Sequence, residues 1–235
     1  MAGFRLQRQE QKDKVGTPSE HLVTLLDPAG AASEAYRSLR ASLLYAKMDA
    51  PPTVILITSP GLADGKSTTC ANLAVVLAQA GKETLVIDGD LRKPSLHRIF
   101  GVPNISGMVN VLSGEHDLSE VCTEPFPGLK MLSAGPIPPY PTELLSAGRF
   151  EELLGQARQL FDYVLVDSPP TELVSDPMII AAQVDAVLLV LDSQGTSKGS
   201  LRKAVRNLEA VGANVLGTLM NKAPKAATGR YGYSY

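Results

Sequence analysis

The chain holds only two cysteines, Cys70 and Cys122, in 235 residues. That is no disulfide framework; it excludes a small stapled secreted scaffold and fits a reducing cytosol. No apolar run approaches the ~20 residues that a membrane-spanning helix requires. The first residues carry charges without an apolar segment, so no secretory signal is expected. Charge of one sign is missing as well. Lys and Arg number 22 against 24 Asp and Glu, a formal net charge of −2. Such a balance gives no general affinity for polyanions, and nucleic acid is not an expected partner. His21, His97 and His116 are scattered without metal-ligand spacing. There is no internal repeat and no long polar tract, and 44% of residues are hydrophobic. One large globular domain is expected.

What is present centres on the stretch Thr58-Ser-Pro-Gly-Leu-Ala-Asp-Gly-Lys-Ser-Thr-Thr69. The apolar run from Val54 to Ile57 leads in, and a helix-compatible run from Cys70 to Ala80 leads out. Strand, glycine-containing turn, Gly-Lys-Ser and helix is the layout of a phosphate-binding loop. Turn amides and a helix N-terminus aim unsatisfied N–H groups at one place, where the dipole favours an anion. Gly65 lets backbone approach a phosphate without a Cβ in the way. Lys66 adds positive charge near the β- and γ-phosphates, and the Ser67 hydroxyl is placed for a magnesium ion. Ala63, Asp64 and Thr68 complete the segment expected to hold the nucleotide. One position departs from the usual spacing: Pro60 stands where glycine is common, and Gly61 comes one place later. The bare triplet also suits an ordinary surface turn; the strand before it and the helix after it favour nucleotide binding.

Beyond the loop the chain alternates. Strands are expected at Leu22 to Leu26, Thr84 to Ile87, Leu129 to Leu132, Tyr163 to Val166, Ala186 to Leu191 and Val215 to Met220. Helices are expected at Ser33 to Lys47, with Ser33 as N-cap, and at Ser95 to Phe100, Gly107 to Leu112, Arg149 to Leu160, Asp176 to Val184 and Ser197 to Val211. In the first of these helices Ala35, Leu39, Leu43 and Ala46 form an apolar stripe. Apolar strands separated by helices argue for a mostly parallel sheet covered on both sides. The loops after the strands then share one edge. That edge is expected to carry Asp88, Asp90 and Asp167, leaving three strands beside the phosphate loop. Magnesium usually rides with phosphates on one or two carboxylates. Asp167, after four apolar residues, suits a magnesium-supporting role. Asp88 and Asp90 have two available roles, metal ligation and activation of an attacking oxygen, and both stay open. If the nucleophile is water, the chain is an ATPase switch. If it is a protein hydroxyl, the chain is a kinase.

Two further features stand out. Glu34, Arg37 and Arg40 are three apart, a charged face that by itself reads as solvated. At the other end, three of seven tyrosines, Tyr231, Tyr233 and Tyr235, fall in the last five positions. A glycine-containing tip without apolar periodicity is expected to be disordered. The cluster fits an adhesive anchor, whereas a phosphate acceptor accounts for both clustering and flexibility. From Met220 to Tyr231 the extended reach is ~35 Å, enough for a neighbour's site or the chain's own.

Together these residues resemble the bacterial tyrosine kinases (BY-kinases) that control capsule and exopolysaccharide synthesis. The likeness runs from about Ser33 to the C-terminus. It rests on the loop from Ser59 to Thr68, on Leu85-Val-Ile-Asp-Gly-Asp-Leu-Arg-Lys-Pro94, and on Val164-Leu-Val-Asp-Ser-Pro-Pro170. It rests also on the Glu-x-x-Arg-x-x-Arg motif at Glu34, Arg37 and Arg40, on Pro141-Thr-Glu-Leu-Leu-Ser146, and on the tyrosine-rich end. The resemblance implies a three-layer α/β P-loop NTPase fold that uses ATP and Mg2+. The implied division is an N-terminal arm over 1–32, a kinase domain over 33–222 and a flexible tail over 223–235. Lys66 would hold phosphates. Ser67, Asp88 and Asp90 would surround magnesium, with Asp167 nearby through water. Asp88 would activate the tyrosine hydroxyl, and Asn221 would contact adenine. Glu34, Arg37 and Arg40 would build an octamer-like ring in which one subunit's tail enters the next subunit's site, a role that overrides the solvated-face reading. The implied partners are a membrane-bound activator, acting through its cytoplasmic tail, and the polysaccharide polymerisation and export machinery. The implied location is the cytoplasm, at the inner face of the membrane. Leu62-Ala63 stands where the family commonly has a Pro-Gly pair, and the tyrosine tail is short. The rival readings are a partition- or division-site-type ATPase and a non-catalytic nucleotide-dependent scaffold. The first carries an extra lysine at the start of the loop, where this chain has Gly61.

Overall fold

A strand that is apolar at every position has no face to give to water, so it must be covered on both sides. Strands β1 (Val54–Thr58), β2 (Thr84–Asp88), β3 (Thr123–Phe126), β4 (Leu129–Leu132), β5 (Tyr163–Asp167), β6 (Ala186–Asp192) and β7 (Val215–Asn221) form one sheet. The computed structural model describes residues 16–45 and 51–224. The strand order is β3-β4-β2-β5-β1-β6-β7. All pairs are parallel except β3 with β4.

Alternation along the strands sorts the core into two layers. Val54, Leu56, Leu85, Ile87, Val164, Val166, Val187 and Leu189 pack into one cluster. Ile55, Ile57, Val86, Leu165, Leu188 and Val190 pack into the other. The second layer is closed by α1 (Val23–Leu26), α2 (Ala31–Tyr45), α3 (Lys66–Gln79) and α4 (Leu96–Phe100). The first is closed by α5 (Met108–Ser113), α6 (Leu118–Val121), α7 (Pro141–Ser146), α8 (Arg149–Leu160), α9 (Asp176–Ala181) and α10 (Lys198–Ala210). The result is the three-layer α/β fold expected of a P-loop NTPase. Helix α3 lies deepest. Its residues from Thr69 to Ala78 are all buried, because it crosses the middle of the sheet beneath α1 and α2.

Several expectations need correction. The stretch Leu22 to Leu26 is the short helix α1, not a strand; it packs against α2 and α3 rather than the sheet, and Leu22 fills the core beside α3 and α4. Within the expected arm, Gly16 N–H donates to Gly101 O at 2.7 Å and Ser19 N–H to Ile99 O at 2.9 Å, which ties this segment to α4. Ser33 lies inside α2 rather than at its cap, and its hydroxyl donates to Asp27 O at 2.6 Å. The inward line of α2 is Ser33, Tyr36, Leu39 and Leu43; the predicted stripe holds at Leu39 and Leu43, whereas Ala35 is exposed and Ser33 and Tyr36 take its place. Positions 46–47, the expected end of that helix, lie outside the described residues, as do Tyr231, Tyr233 and Tyr235. The short elements α6 and β3 were not anticipated; β3 is a four-residue edge strand without an uninterrupted apolar run.

Phe150 on α8 is fully buried in the first layer. Phe150→Ala should lower stability by about 3–5 kcal/mol, seen as a lower urea midpoint with an unchanged transition slope.

Candidate active site

Strand parity builds the acidic side of the site. Asp88 ends β2 and Asp167 ends β5, two adjacent parallel strands in which these residues are direct partners. Each lies two places after a residue of the second layer, Val86 and Leu165, so both carboxylates point toward α3. The expected three strands are therefore two: Asp90 lies two residues past Asp88 on the same loop, where its Oδ1 accepts from Lys93 N–H at 2.9 Å.

The phosphate loop supplies the opposite side. Gly65 precedes α3 with φ 96° and ψ 20°, in the left-handed region that favours glycine. A Cβ there would sit 1.9 Å from Asn221 Nδ2, so a side chain would have to displace the amide that holds the loop. Ala63 also has a positive φ, 60°. Neighbouring strand ends hold this shape. Asn221 Nδ2 donates to Asp64 O at 3.0 Å, and Lys222 Nζ to Ala63 O at 2.7 Å. Asp64 is turned inward, accepting from Gly61 N–H at 2.9 Å and the Thr196 hydroxyl at 3.1 Å. Its carboxylate braces the loop. Asn221 likewise spends one amide N–H on the loop backbone.

Lys66 occupies the centre. Its Nζ lies 2.9 Å from Ser67 Oγ and 3.4 Å from both Asp90 Oδ2 and Asp167 Oδ1. Ser67 Oγ donates to Asp167 Oδ2 at 2.6 Å. Asp88 Oδ2 accepts the backbone N–H groups of Ser95 and Leu96, each at 2.9 Å, while its Oδ1 is buried without a hydrogen-bond partner. Burial, then the adjacent Asp167 charge, pushes the Asp88 carboxyl up to about 7, against the pull of the two amides and Lys66. Burial also raises Asp167, opposed by Lys66 and the Ser67 hydroxyl. For Lys66 burial works against the ammonium, but Asp167, Asp90 and Asp88 outweigh it and its pKa lies above the ordinary lysine value. One cation amid three carboxylates leaves net negative charge, and the free Asp88 oxygen, the Ser67 hydroxyl and Asp167 are all oxygen donors. That donor chemistry fits a hard divalent cation arriving with phosphate oxygens. No group of three His, Cys, Asp or Glu side chains suited to a metal by itself occurs among the described residues, so phosphate would have to complete the shell.

Comparison with known proteins decides the family. The ParA profile, described as NUBPL iron-transfer P-loop NTPase, matches residues 52–228. The tyrosine-protein kinase YwqD of Bacillus subtilis is 36% identical over 224 residues, covering 95% of this chain and 94% of YwqD. The kinase domain of the Escherichia coli tyrosine kinase ETK superposes with a TM-score of 0.85 at 33% identity, covering 98% of this chain and 89% of that domain. The chain belongs to the bacterial tyrosine kinase family of P-loop NTPases. The septum site-determining protein MinD of Pyrococcus horikoshii, 23% identical with a TM-score of 0.63 over 74% of this chain and 75% of its own, shares the fold.

In this BY-kinase, then, one site gathers Ala63, Asp64, Gly65, Lys66, Ser67, Thr68, Asp88, Asp90, Asp167 and Asn221. The motif residues of α2 lie apart from it. Glu34 is exposed and pairs with Arg37 at 2.7 Å, whereas Arg40 turns inward to donate to Val76 O on α3 at 2.8 Å. Sequence reasoning missed the bracing set Asp192, Thr196 and Lys222, whose pairing joins the ends of β6 and β7 to the loop. It also missed the anchor of the loop after β2, where Arg92 holds the buried Asp176 at 2.7 Å and 3.1 Å with the Thr142 hydroxyl on the same carboxylate. The signal for the anchor was present, since Arg92 and Thr142 lie in two of the quoted motifs; their pairing across 50 residues was not readable.

The folded Asp88 carboxyl holds its proton to about pH 7, the unfolded one only to ~4. Its contribution to stability is therefore complete below pH ~4 and is lost as pH rises through about 7. Asp88→Asn should flatten that fall in nucleotide-free protein and stabilise it on the order of 2–4 kcal/mol at about pH 8, relative to pH 5, in urea titrations. An unchanged pH slope would show that Asp88 ionises as an ordinary carboxylate.

Proposed function

We propose that this tyrosine kinase transfers the γ-phosphoryl group of ATP to tyrosine hydroxyls at Tyr231, Tyr233 and Tyr235 of a neighbouring copy, and so regulates capsular or exopolysaccharide synthesis and export. The observation that carries the reading is the convergence of Lys66, Ser67, Asp90 and Asp167 at the N-terminus of α3, with Asp88 beside them. Loop amides from Ala63 to Thr68 would receive the phosphates, and Lys66 would place its positive charge near the β- and γ-phosphates. Ser67, Asp88 and Asp90 would hold Mg2+, with Asp167 nearby through water; the ion would neutralise charge building on the phosphate oxygens. Asp88 is the proton acceptor in this assignment. As the tyrosine oxygen bonds to the γ-phosphorus and the bond to the β-phosphate oxygen breaks, the hydroxyl proton passes to the carboxylate. Its orphaned Oδ1 supports that role, and bound cationic charge would lower a pKa that burial has raised. Asn221, against Gly65, is assigned to adenine.

Assembly completes the scheme. An octamer-like ring built on α2 would present each tail to the next site, with Glu34 and Arg37 outermost and Arg40 joining α2 to α3. The partners assigned are a membrane-bound activator, through its cytoplasmic tail, and the polysaccharide export machinery. The location assigned is the cytoplasm at the inner membrane face. Among the described residues no helix is long and apolar enough to cross a membrane.

With ATP and Mg2+, and the activator's cytoplasmic tail if needed, anti-phosphotyrosine signal should appear on the wild-type chain. It should vanish in Lys66→Met and on deletion of Tyr231 to Tyr235. Phosphate release without protein labelling would instead favour an ATPase switch. Replacing Glu34, Arg37 and Arg40 together by Ala should shift light-scattering mass from a ring toward monomer; an unchanged mass would remove α2 from the interface.

A further inference from the structure

The nucleotide cavity, about 530 Å³, has a wall that belongs to none of the loop, strand-end or helix motifs. Its lining includes Lys66, Thr68, Lys93 and Asn221, and also His21, from the segment that precedes α1. His21 is exposed in its own right, so core packing does not account for its placement. Its backbone is held firmly. Asn72 on α3 is buried, and its amide is fully used: Oδ1 accepts the Thr24 N–H at 3.0 Å and the Thr24 hydroxyl at 2.9 Å, while Nδ2 donates to His21 O at 2.8 Å and Thr68 O at 2.9 Å. One side chain thus ties His21 to the first turn of the phosphate-loop helix.

The same segment grips α4. Ser19 N–H donates to Ile99 O, and Thr17 backbone passes so close to Gly101 that a Cβ there would meet Thr17 O at 2.6 Å. The two amides at the head of α4, Ser95 and Leu96, hold Asp88. Residues 16–26 therefore clamp together the helix that carries Lys66 and Ser67 and the helix that holds the buried carboxylate.

We propose that His21 contacts the nucleoside end of the bound nucleotide, and that Asn72 is the positioning residue that sets it there. The inference rests on the nucleotide-binding reading of this cavity. The phosphates belong at the head of α3, where Lys66 and Ser67 stand. What lies beyond them must run past Thr68, between Asn221 from β7 and the segment carrying His21. A flat imidazole, with one ring N–H donor and one ring nitrogen acceptor, suits a base or a ribose.

The test is a fluorescence titration of the full chain with a mant-labelled ADP and Mg2+, followed by displacement with unlabelled ADP and, separately, with inorganic tripolyphosphate. His21→Ala should raise the Kd for ADP about five- to tenfold and leave tripolyphosphate displacement unchanged. Asn72→Ala should show the same selective loss if it folds; if it does not, the exposed His21 variant decides alone. In hydrogen exchange, ADP should slow the amides of residues 21–26 in wild type and not in His21→Ala. Unchanged ADP affinity in His21→Ala, or equal weakening of ADP and tripolyphosphate, overturns the proposal while the cavity remains a nucleotide site. Failure of wild type itself to bind labelled ADP, or equal binding by Lys66→Met, overturns the nucleotide reading as well.

Discussion

A single ammonium group surrounded by carboxylates is the constraint from which the rest of this structure follows. Burying Asp88 and Asp167 side by side is unfavourable twice, through lost hydration and through like-charge repulsion. Lys66, the Ser67 hydroxyl and the amides of Ser95 and Leu96 compensate that only in part, since Asp88 keeps an oxygen without a partner. A site left in this condition has surplus negative charge at the foot of an anion cradle. Such an arrangement suits a cation that arrives together with phosphate.

The fold is arranged to keep the lysine in that position. Helix α3 is buried along nearly its whole length, which fixes where its first turn stands relative to the strand ends. The loop before it lacks the usual glycine at position 60, and its shape is secured from outside: Asp64 by Thr196, Ala63 by Lys222, and Gly65 by the Asn221 amide lying against it. Two segments distant in sequence, the loop after β6 and the end of β7, thus share the work that local glycines do elsewhere. Arg40 on α2 reaches the Val76 carbonyl of the same helix, so a charge expected to serve assembly also touches the helix that carries the phosphate loop.

Much of the site could be read from the chain because its chemistry is local. Gly65, Lys66 and Ser67 are consecutive, and the turn and helix they open depend on neighbouring backbone alone. Asp88 and Asp167 each follow an apolar run, so strand ends were legible, and so was the shared edge. The α1 region misled because a short apolar run such as Leu22 to Leu26 suits strand or helix equally, and only its packing against α2 and α3 decides. The start of the α2 stripe misled because the buried Ser33 and the inward-turned Arg40 are polar, and hydrophobic periodicity does not register them.

By itself, then, the sequence determined the type of most long elements, the two-residue parity that sends Asp88 and Asp167 to the same side of their strands, and the phosphate cradle between β1 and α3. These depend on backbone periodicity and adjacent residues. The tertiary structure alone decided that β5 inserts between β2 and β1, and that insertion makes the two aspartates neighbours and brings both to Lys66. It alone placed His21 beside Thr68 through Asn72. Strand order and packing partners arise from burial summed over the whole chain, which no short stretch encodes.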